Sequence, residues 1–292
     1  MSSSELSLRG RLAVALLERT PPRSALAATQ MMGVAARVPL PARVSRLAVG
    51  AYARFFDVDL GEVDPSHLER GYASFDAFFT RNLREGARVI DKDPNVLVSP
   101  CDGRLREFAE IEAQGVVVAK GHAYAIGELL GDAQLAARFV GGLQAVIYLH
   151  PRDYHRVHTP VTGRATRLSA IPGRLLPVND ASVSSEPRLF ALNERQVHLI
   201  ESDYGAVAVV LVAAFGVGHM SCSYTRLAVH PDREVVVEPK PAPLLTKGEE
   251  LGVFHLGSTV VLLTEAGFEP ARAFEPGARL ELGEALLRRR DA

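Results

Sequence analysis

From residue 96 onward, short apolar runs dominated by valine recur, each too short for a helix and each bounded by turn residues. They are Val96–Val98, Val116–Ala119, Ala145–Leu149, Gln196–Ile200, Val207–Val212, Val235–Val237 and Ser258–Leu263. Branching at Cβ restricts χ1 and suits the pleated backbone of a sheet. Turn signals at Pro100 to Gly103, Pro172-Gly173 and Asp203 to Gly205 punctuate the runs. This spacing predicts a mostly antiparallel β core. One helix is expected to interrupt it, from about Ala125 to Phe139. A shorter helix is expected over Phe75 to Leu83, with Ser74 as its N-cap. Leu280 to Arg290 reads as either strand or helix.

The N-terminal region has a different texture. Between Leu6 and Phe56 stand eight arginines and one acid, Glu18, a charge of +7. Val44, Leu47, Ala48, Ala51, Tyr52 and Phe55 follow the spacing of one helix face, with Arg43, Arg46 and Arg54 off it. Leu8, Leu12, Ala15 and Leu16 make a weaker stripe. Pro21-Pro22 and Pro39-Leu40-Pro41 divide the region into three helical pieces. A basic amphipathic helix fits either a layer packed on the core or a helix lying in an anionic membrane interface. Arginine-rich, acid-poor termini also occur in mitochondrial transit peptides, but here the pattern runs into the folded region without a break. The expected fold class is therefore α+β: an amphipathic helical region over residues 1–60, then a β-rich domain over 61–292.

Several function classes drop out. Lys plus Arg is 33 and Asp plus Glu is 34, without the basic excess of a nucleic-acid binder. Two cysteines, Cys101 and Cys222, make neither a disulfide scaffold nor a four-cysteine zinc site, and they fit a reducing compartment. The longest uncharged apolar run, Ala206 to Val217, falls short of the roughly 20 residues a spanning helix needs and reads as buried strand. No secretory signal is expected, because the N-terminus lacks a clean apolar stretch followed by a small-residue cleavage site.

Three stretches concentrate reactive side chains. Ser99-Pro100-Cys101-Asp102-Gly103 contains an Asp-Gly turn, which alone suits any hairpin. The segment from Tyr148 to His158 holds His150, His155 and His158, three of the nine histidines. Histidine serves as acid, base or metal ligand, but the strong metal signature His-Glu-x-x-His is absent, and no metal is expected. Leu256-Gly257-Ser258-Thr259 leads into the apolar run Val260 to Leu263. A serine hydrolase is one way to combine Ser258 with a His and an Asp, although the Gly-x-Ser-x-Gly elbow is missing.

Taken in order, these stretches resemble the bacterial, membrane-associated phosphatidylserine decarboxylases. The landmarks run Phe75-Asp-Ala-Phe-Phe-Thr-Arg81, Val98-Ser-Pro-Cys-Asp-Gly103, Lys120-Gly-His-Ala-Tyr124 and Asp153-Tyr-His-Arg-Val-His158. They continue through Pro172-Gly173, Pro177-Val-Asn179, Phe190-Ala-Leu-Asn-Glu-Arg195 and Lys247-Gly-Glu-Glu-Leu-Gly252 to Leu256-Gly-Ser-Thr259. Each is weak alone, and the ordered set is specific.

The resemblance implies an enzyme that makes its own pyruvoyl cofactor from Ser258. The bond cut is Gly257–Ser258, giving a β chain of 1–257 and an α chain of 258–292. Ser258 Oγ attacks the Gly257 carbonyl and turns the amide into an ester. Removal of the residue 258 Cα proton then expels the Gly257 carboxylate, and hydration with loss of ammonia leaves the pyruvoyl group. His158 is implied as the base, Asp102 as the residue that orients it, and His155 as the residue of decarboxylation and reprotonation. In turnover the ketone forms a Schiff base with the serine amine of phosphatidylserine and accepts the electrons released with carbon dioxide. Phosphatidylethanolamine is the implied product.

A lipid substrate shifts the reading of the amphipathic segment toward membrane docking through Arg43, Val44, Leu47, Tyr52 and Phe55, peripherally on the cytoplasmic face of the cell membrane. Partners are then the anionic membrane surface, the two chains of one precursor and, as an allowed assembly, a homodimer. Three positions depart from the family pattern: Asp180 follows Pro177-Val-Asn179, His150 stands where a serine is expected, and Cys101 replaces a small apolar residue. Besides the hydrolase, two rivals remain: a pyruvoyl decarboxylase of soluble amino acids or peptides, and a non-catalytic lipid-binding protein.

Overall fold

Strand Gly205–Ala213 is buried along all but its first residue, and its partner Ser258–Thr264 is buried throughout. Two such valine-rich strands side by side can sit only in the middle of a sheet covered on both faces. The computed structural model describes residues 22–290 apart from 120–121, 179–181, 184–185, 187, 217–218 and 276. The Leu8 to Leu16 stripe, Lys120-Gly121, Asn179 and the Asp180 departure lie outside the described residues.

Among the described residues four helices come first: α1 (Pro22–Arg37), α2 (Ala42–Phe56), α3 (Pro65–Arg70) and α4 (Phe75–Phe79). The strands that position the site are β1 (Val96–Val98), β2 (Gly103–Glu112), β3 (Val116–Ala119), β4 (His122–Ala125), β5 (Leu143–Leu149), β6 (Arg156–His158) and β7 (Gly163–Ile171). They are followed by β8 (Arg195–Ser202), β9 (Gly205–Ala213), β10 (Met220–Cys222), β11 (Val235–Val237), β12 (Leu244–Leu245), β13 (Glu250–Phe254) and β14 (Ser258–Thr264). The main sheet has the order β11-β7-β8-β9-β14-β5-β2-β3-β4, and its strand pairs are antiparallel. A small sheet, β10-β13-β6, stands beside it. The chain is α+β with a mostly antiparallel core and helices ahead of it, as the sequence pattern predicts.

The expected helix from Ala125 to Phe139 is instead two short helices, Ile126–Leu130 and Ala133–Ala137. Gly131 takes a left-handed conformation, and the Asp132 carboxylate caps the second helix by accepting from Gln134 and Leu135. The helix at Phe75 ends at Phe79 rather than Leu83, and Ser74 caps it by accepting from Ala77 N. The C-terminal stretch resolves as strand, with Arg279–Leu280 pairing to β2 and Ala285–Arg289 pairing to β1.

Helix α2 does not bury the stripe that the periodicity marks. Its buried residues are Ser45, Val49 and Ala53. Leu47 and Phe55 are 76% and 81% exposed, and Val44 is exposed as well. Tyr52 turns inward: its ring packs on Phe56, Phe75 and Phe78, and its hydroxyl donates to the Pro151 carbonyl at 3.0 Å. Met31 and Val34 on α1 are exposed too. Two neighbouring helices therefore present large apolar side chains to solvent, interleaved with arginines. Isolated exposed apolar residues are ordinary, and here several stand on two successive helices.

Candidate active site

The backbone brings the candidate residues to one end of the main sheet. Ser258, the first residue of β14, pairs with Leu149 at the end of β5 and with Ala213 at the end of β9. On the other side of β5, Arg104 of β2 pairs with Tyr148, which puts Asp102 beside the same strand ends. Gly103 is required there, because a Cβ would lie 2.6 Å from the Tyr148 carbonyl oxygen. Beyond β5 the chain loops through His150 and returns along β13: Phe254 N donates to His155 O at 3.0 Å, and His158 pairs with Glu250. Segment 149–158 is thus fastened at both ends to segment 250–258, and the histidine loop faces the turn at 255–257. Asp102 joins from the side, with His158 N donating to Pro100 O at 2.8 Å.

Ser258 is 1% exposed, and its hydroxyl has no hydrogen-bond partner among the described residues. A buried hydroxyl without a partner is an unfavourable arrangement by about 1–3 kcal/mol, and such exceptions concentrate at reactive sites. Leu256, two residues earlier, has φ of +100°. That conformation is rare for a side chain branched beyond Cβ and carries strain of about 1–3 kcal/mol. The strained residue is Leu256 and not the glycine. A Cβ on Gly257 would meet nothing within 4 Å, so the side-chain direction of Gly257 is open.

His155 is fully buried against the Phe79 ring at 4.1 Å. Its Nδ1–H donates to Asp153 O at 2.8 Å, which leaves Nε2 a bare acceptor with no partner among the described residues. Burial pushes its pKa down to about 3, so the ring is neutral at physiological pH. His158 is oriented by Gly248 O, which accepts from Nδ1–H at 2.8 Å. Nε2 therefore carries the lone pair and accepts from the Tyr154 hydroxyl at 3.2 Å. Burial also lowers the His158 pKa, against the pull of its Gly248 hydrogen bond and the nearby Glu250 and Asp102 charges. Both imidazoles are neutral bases with the free nitrogen at Nε2.

Asp102 and His158 are neighbours without a direct hydrogen bond. The Asp102 carboxylate accepts from Arg88 at 2.9 and 2.5 Å and from Leu282 N at 2.8 Å. Arg88 is itself buried and also bridges to Glu62 at 2.9 Å. The sequence reading missed Arg88, which lies 14 residues before Asp102 in a segment with no helix or strand signal. The Gly248 carbonyl holds His158 Nδ1–H, and the Asp102 charge adds to the surroundings of the ring.

Of the departures, His150 is half-buried, its pKa is lowered by burial, and its backbone N–H donates to the Asp153 carboxylate at 2.7 Å. Cys101 is buried, and the same burial raises its thiol pKa well above the ordinary value, so it is inert packing. A further cluster that the sequence reading did not single out lies ahead of Ser258. His255 Nδ1 meets both Asp76 oxygens at 2.9 and 3.0 Å, and its ring stacks on His219 at 3.7 Å. Asp76 sits inside the Phe75 to Arg81 landmark, but nothing in the motif pairs it with residue 255. No group of three or more His, Cys, Asp or Glu side chains among the described residues is arranged to hold a metal ion.

Comparison with known proteins identifies the family. A sequence model of the phosphatidylserine decarboxylases matches residues 75–288. The chain belongs to the phosphatidylserine decarboxylase family. A relative from Anaeromyxobacter sp. (strain K) is 43% identical over 262 residues, covering 86% of this chain and 89% of its own length. One from Myxococcus xanthus (strain DK1622) is 40% identical over 252 residues, covering 86% and 87%. One from Pseudomonas aeruginosa (strain LESB58) is 42% identical over 246 residues, covering 80% and 83%. Each of the three is named a phosphatidylserine decarboxylase proenzyme. Family membership agrees with the ordered landmarks, and the matched span takes in Asp102, His155, His158 and Ser258.

Proposed function

We propose that this chain is a self-processing decarboxylase that converts phosphatidylserine to phosphatidylethanolamine and carbon dioxide. The observation that carries the reading is Ser258. Its buried, unpartnered hydroxyl stands at the start of a central strand, two residues after a strained leucine and opposite a loop holding two neutral histidines.

The residues fit the generation of a pyruvoyl group. Ser258 Oγ follows directly on the Gly257 carbonyl and has no competing hydrogen bond among the described residues. His158 is the base that takes the hydroxyl proton at Nε2. Its neutral form is the resting form, and the Gly248 carbonyl holds the tautomer that exposes Nε2. As Oγ bonds to the Gly257 carbon, the C–N bond breaks and the residue 258 nitrogen takes the proton. Asp102, held in place by Arg88, stabilises the imidazolium through its charge. Loss of the residue 258 Cα proton then releases the Gly257 carboxylate.

The pyruvoyl group supplies an electrophilic ketone for the substrate amine and a sink for the electron pair freed with carbon dioxide. His155 handles the proton. Its bare Nε2 takes the proton that the substrate nitrogen sheds on bonding to the ketone, where that nitrogen is far more acidic than a free ammonium, and returns it to the carbon that has lost the carboxylate. Burial against Phe79 keeps water from that exchange.

The exposed apolar residues of α1 and α2, set among arginines, support docking on an anionic bilayer, which delivers the lipid to this sheet end. No described helix is long and apolar enough to cross a membrane. The reading makes the chain a peripheral protein of the cytoplasmic face of the cell membrane.

The test is carbon dioxide release from phosphatidylserine vesicles against release from free serine. Release from vesicles alone is expected, and turnover of free serine at a matching rate would shift the assignment to soluble substrates. Leu47→Glu with Phe55→Glu should lower binding to anionic vesicles by at least about tenfold. Each change removes an apolar side chain whose full burial is favourable by roughly 1.5–3 kcal/mol. Sedimentation with vesicles reads it, and unchanged binding would clear this helix face of the role.

A further inference from the structure

Residue 255 is held more tightly than a turn residue needs to be. Its backbone N–H donates to His219 O at 2.9 Å. Its ring lies flat on the His219 ring, 3.7 Å away with 12° between the planes. Its Nδ1–H donates to the Asp76 carboxylate at 2.9 and 3.0 Å, and its Nε2 accepts from the Ser221 hydroxyl at 3.3 Å. Three separate elements supply these contacts: α4 carries Asp76, β10 carries Ser221, and the loop before β10 carries His219.

Three residues later the chain is fixed again, because Ser258 enters the main sheet between β5 and β9. Only Leu256 and Gly257 join the two fixed points. The junction is completed with Leu256 at φ +100°, a conformation that a leucine does not choose unaided. The glycine next to it, which adopts unusual conformations freely, is not the residue with positive φ. Strain of this kind persists only where the surroundings impose it.

We propose that the Asp76–His255 pair is a clamp for self-processing, which holds Leu256 strained so that the Gly257–Ser258 peptide is presented to Ser258 Oγ. Asp76 and His255 are positioning residues, since neither touches the reacting atoms. The clamp acts by lifting the ground state of the precursor: cutting at 257–258 frees one end of the segment and lets Leu256 relax. The proposal rests on the self-processing reading and adds to it the residues that drive the step.

The two claims separate in one experiment. Full-length precursor is synthesised rapidly in a cell-free system, and the appearance of the 1–257 chain is followed by mass spectrometry. Wild-type chain is expected to cut at Gly257–Ser258. Leu256→Gly removes the strain and keeps every clamp contact, and should slow cutting about 10- to 100-fold, the rate equivalent of the strain in one such residue. In the uncut Ser258→Ala background the same change should raise the unfolding temperature, because glycine accepts a positive φ. Asp76→Ala should slow cutting to a similar degree. Asp76→Asn should restore most of the rate, since its amide oxygen still accepts from His255 Nδ1–H. Leu256→Gly cutting at the wild-type rate or faster overturns the clamp while leaving self-processing intact. An uncut wild-type chain overturns both.

Discussion

His158→Ala should leave the precursor a single chain, whereas His155→Ala should cut at Gly257–Ser258 and then fail to decarboxylate. The expected loss in turnover for His155→Ala is about 10²- to 10⁴-fold, the usual contribution of a positioned acid or base. The split follows from where the two free nitrogens stand. His158 Nε2 meets the Tyr154 hydroxyl and belongs to a strand that pairs with β13, the strand leading into the turn before Ser258. His155 is fully buried, packed on Phe79, with a bare Nε2 that has no partner among the described residues. Chain cutting is read by gel or mass, and turnover is read per pyruvoyl group, so a processing defect does not masquerade as a chemical one. The reverse pattern would exchange the two roles. His155→Gln tests the same point more gently, because an amide can keep the hydrogen bond to Asp153 O but cannot shuttle a proton.

Ser258→Ala should abolish both processing and decarboxylation, leaving a 31.5 kDa chain that is folded and inactive. The fold should survive because Ser258 Oγ makes no hydrogen bond among the described residues. Removing a buried hydroxyl that has no partner relieves a desolvation penalty, so the variant should unfold at the same temperature as the wild-type precursor or higher. A destabilised variant would mean that Oγ has a partner in the folded chain. Ser258→Cys keeps a nucleophile and should process more slowly than wild type, without giving a wild-type yield of pyruvoyl group.

The sequence showed the sheet best where short valine-rich runs stand between turn residues. Val96–Val98, Val116–Ala119 and Val235–Val237 were legible to the residue, since unbroken valine runs mark them. β2 and β7 were missed, because Gly103–Glu112 and Gly163–Ile171 put charged residues on a face that reaches solvent. The break at Gly131-Asp132 was written in a left-handed glycine followed by a capping aspartate, but the apolar periodicity on either side hid it. On α2 the periodicity found an apolar face but could not by itself say whether that face packs on the core, and Leu47 and Phe55 stand exposed. Small residues, Ser45 and Ala53, and the inward Tyr52 decide which side packs, and a count of apolar positions cannot see that.

The candidate site was legible as a set of residue types in order, and not as a geometry. Asp102, His155, His158 and Ser258 do converge on one end of the sheet. The partners that tune them were invisible in the motifs: Arg88 on Asp102, Gly248 O on His158 and Asp76 on His255. Each of these contacts joins segments far apart in the chain or uses a backbone carbonyl, and neither leaves a local signature.

The measurement that bears most directly on the account is the intact mass of freshly purified wild-type protein. The account predicts two chains that meet at Gly257–Ser258, with the smaller one lighter than its simple hydrolysis fragment by one ammonia. That deficit is the mark of a pyruvoyl group on residue 258. A single uncut chain, or a cut chain with an ordinary serine at its new terminus, would contradict it.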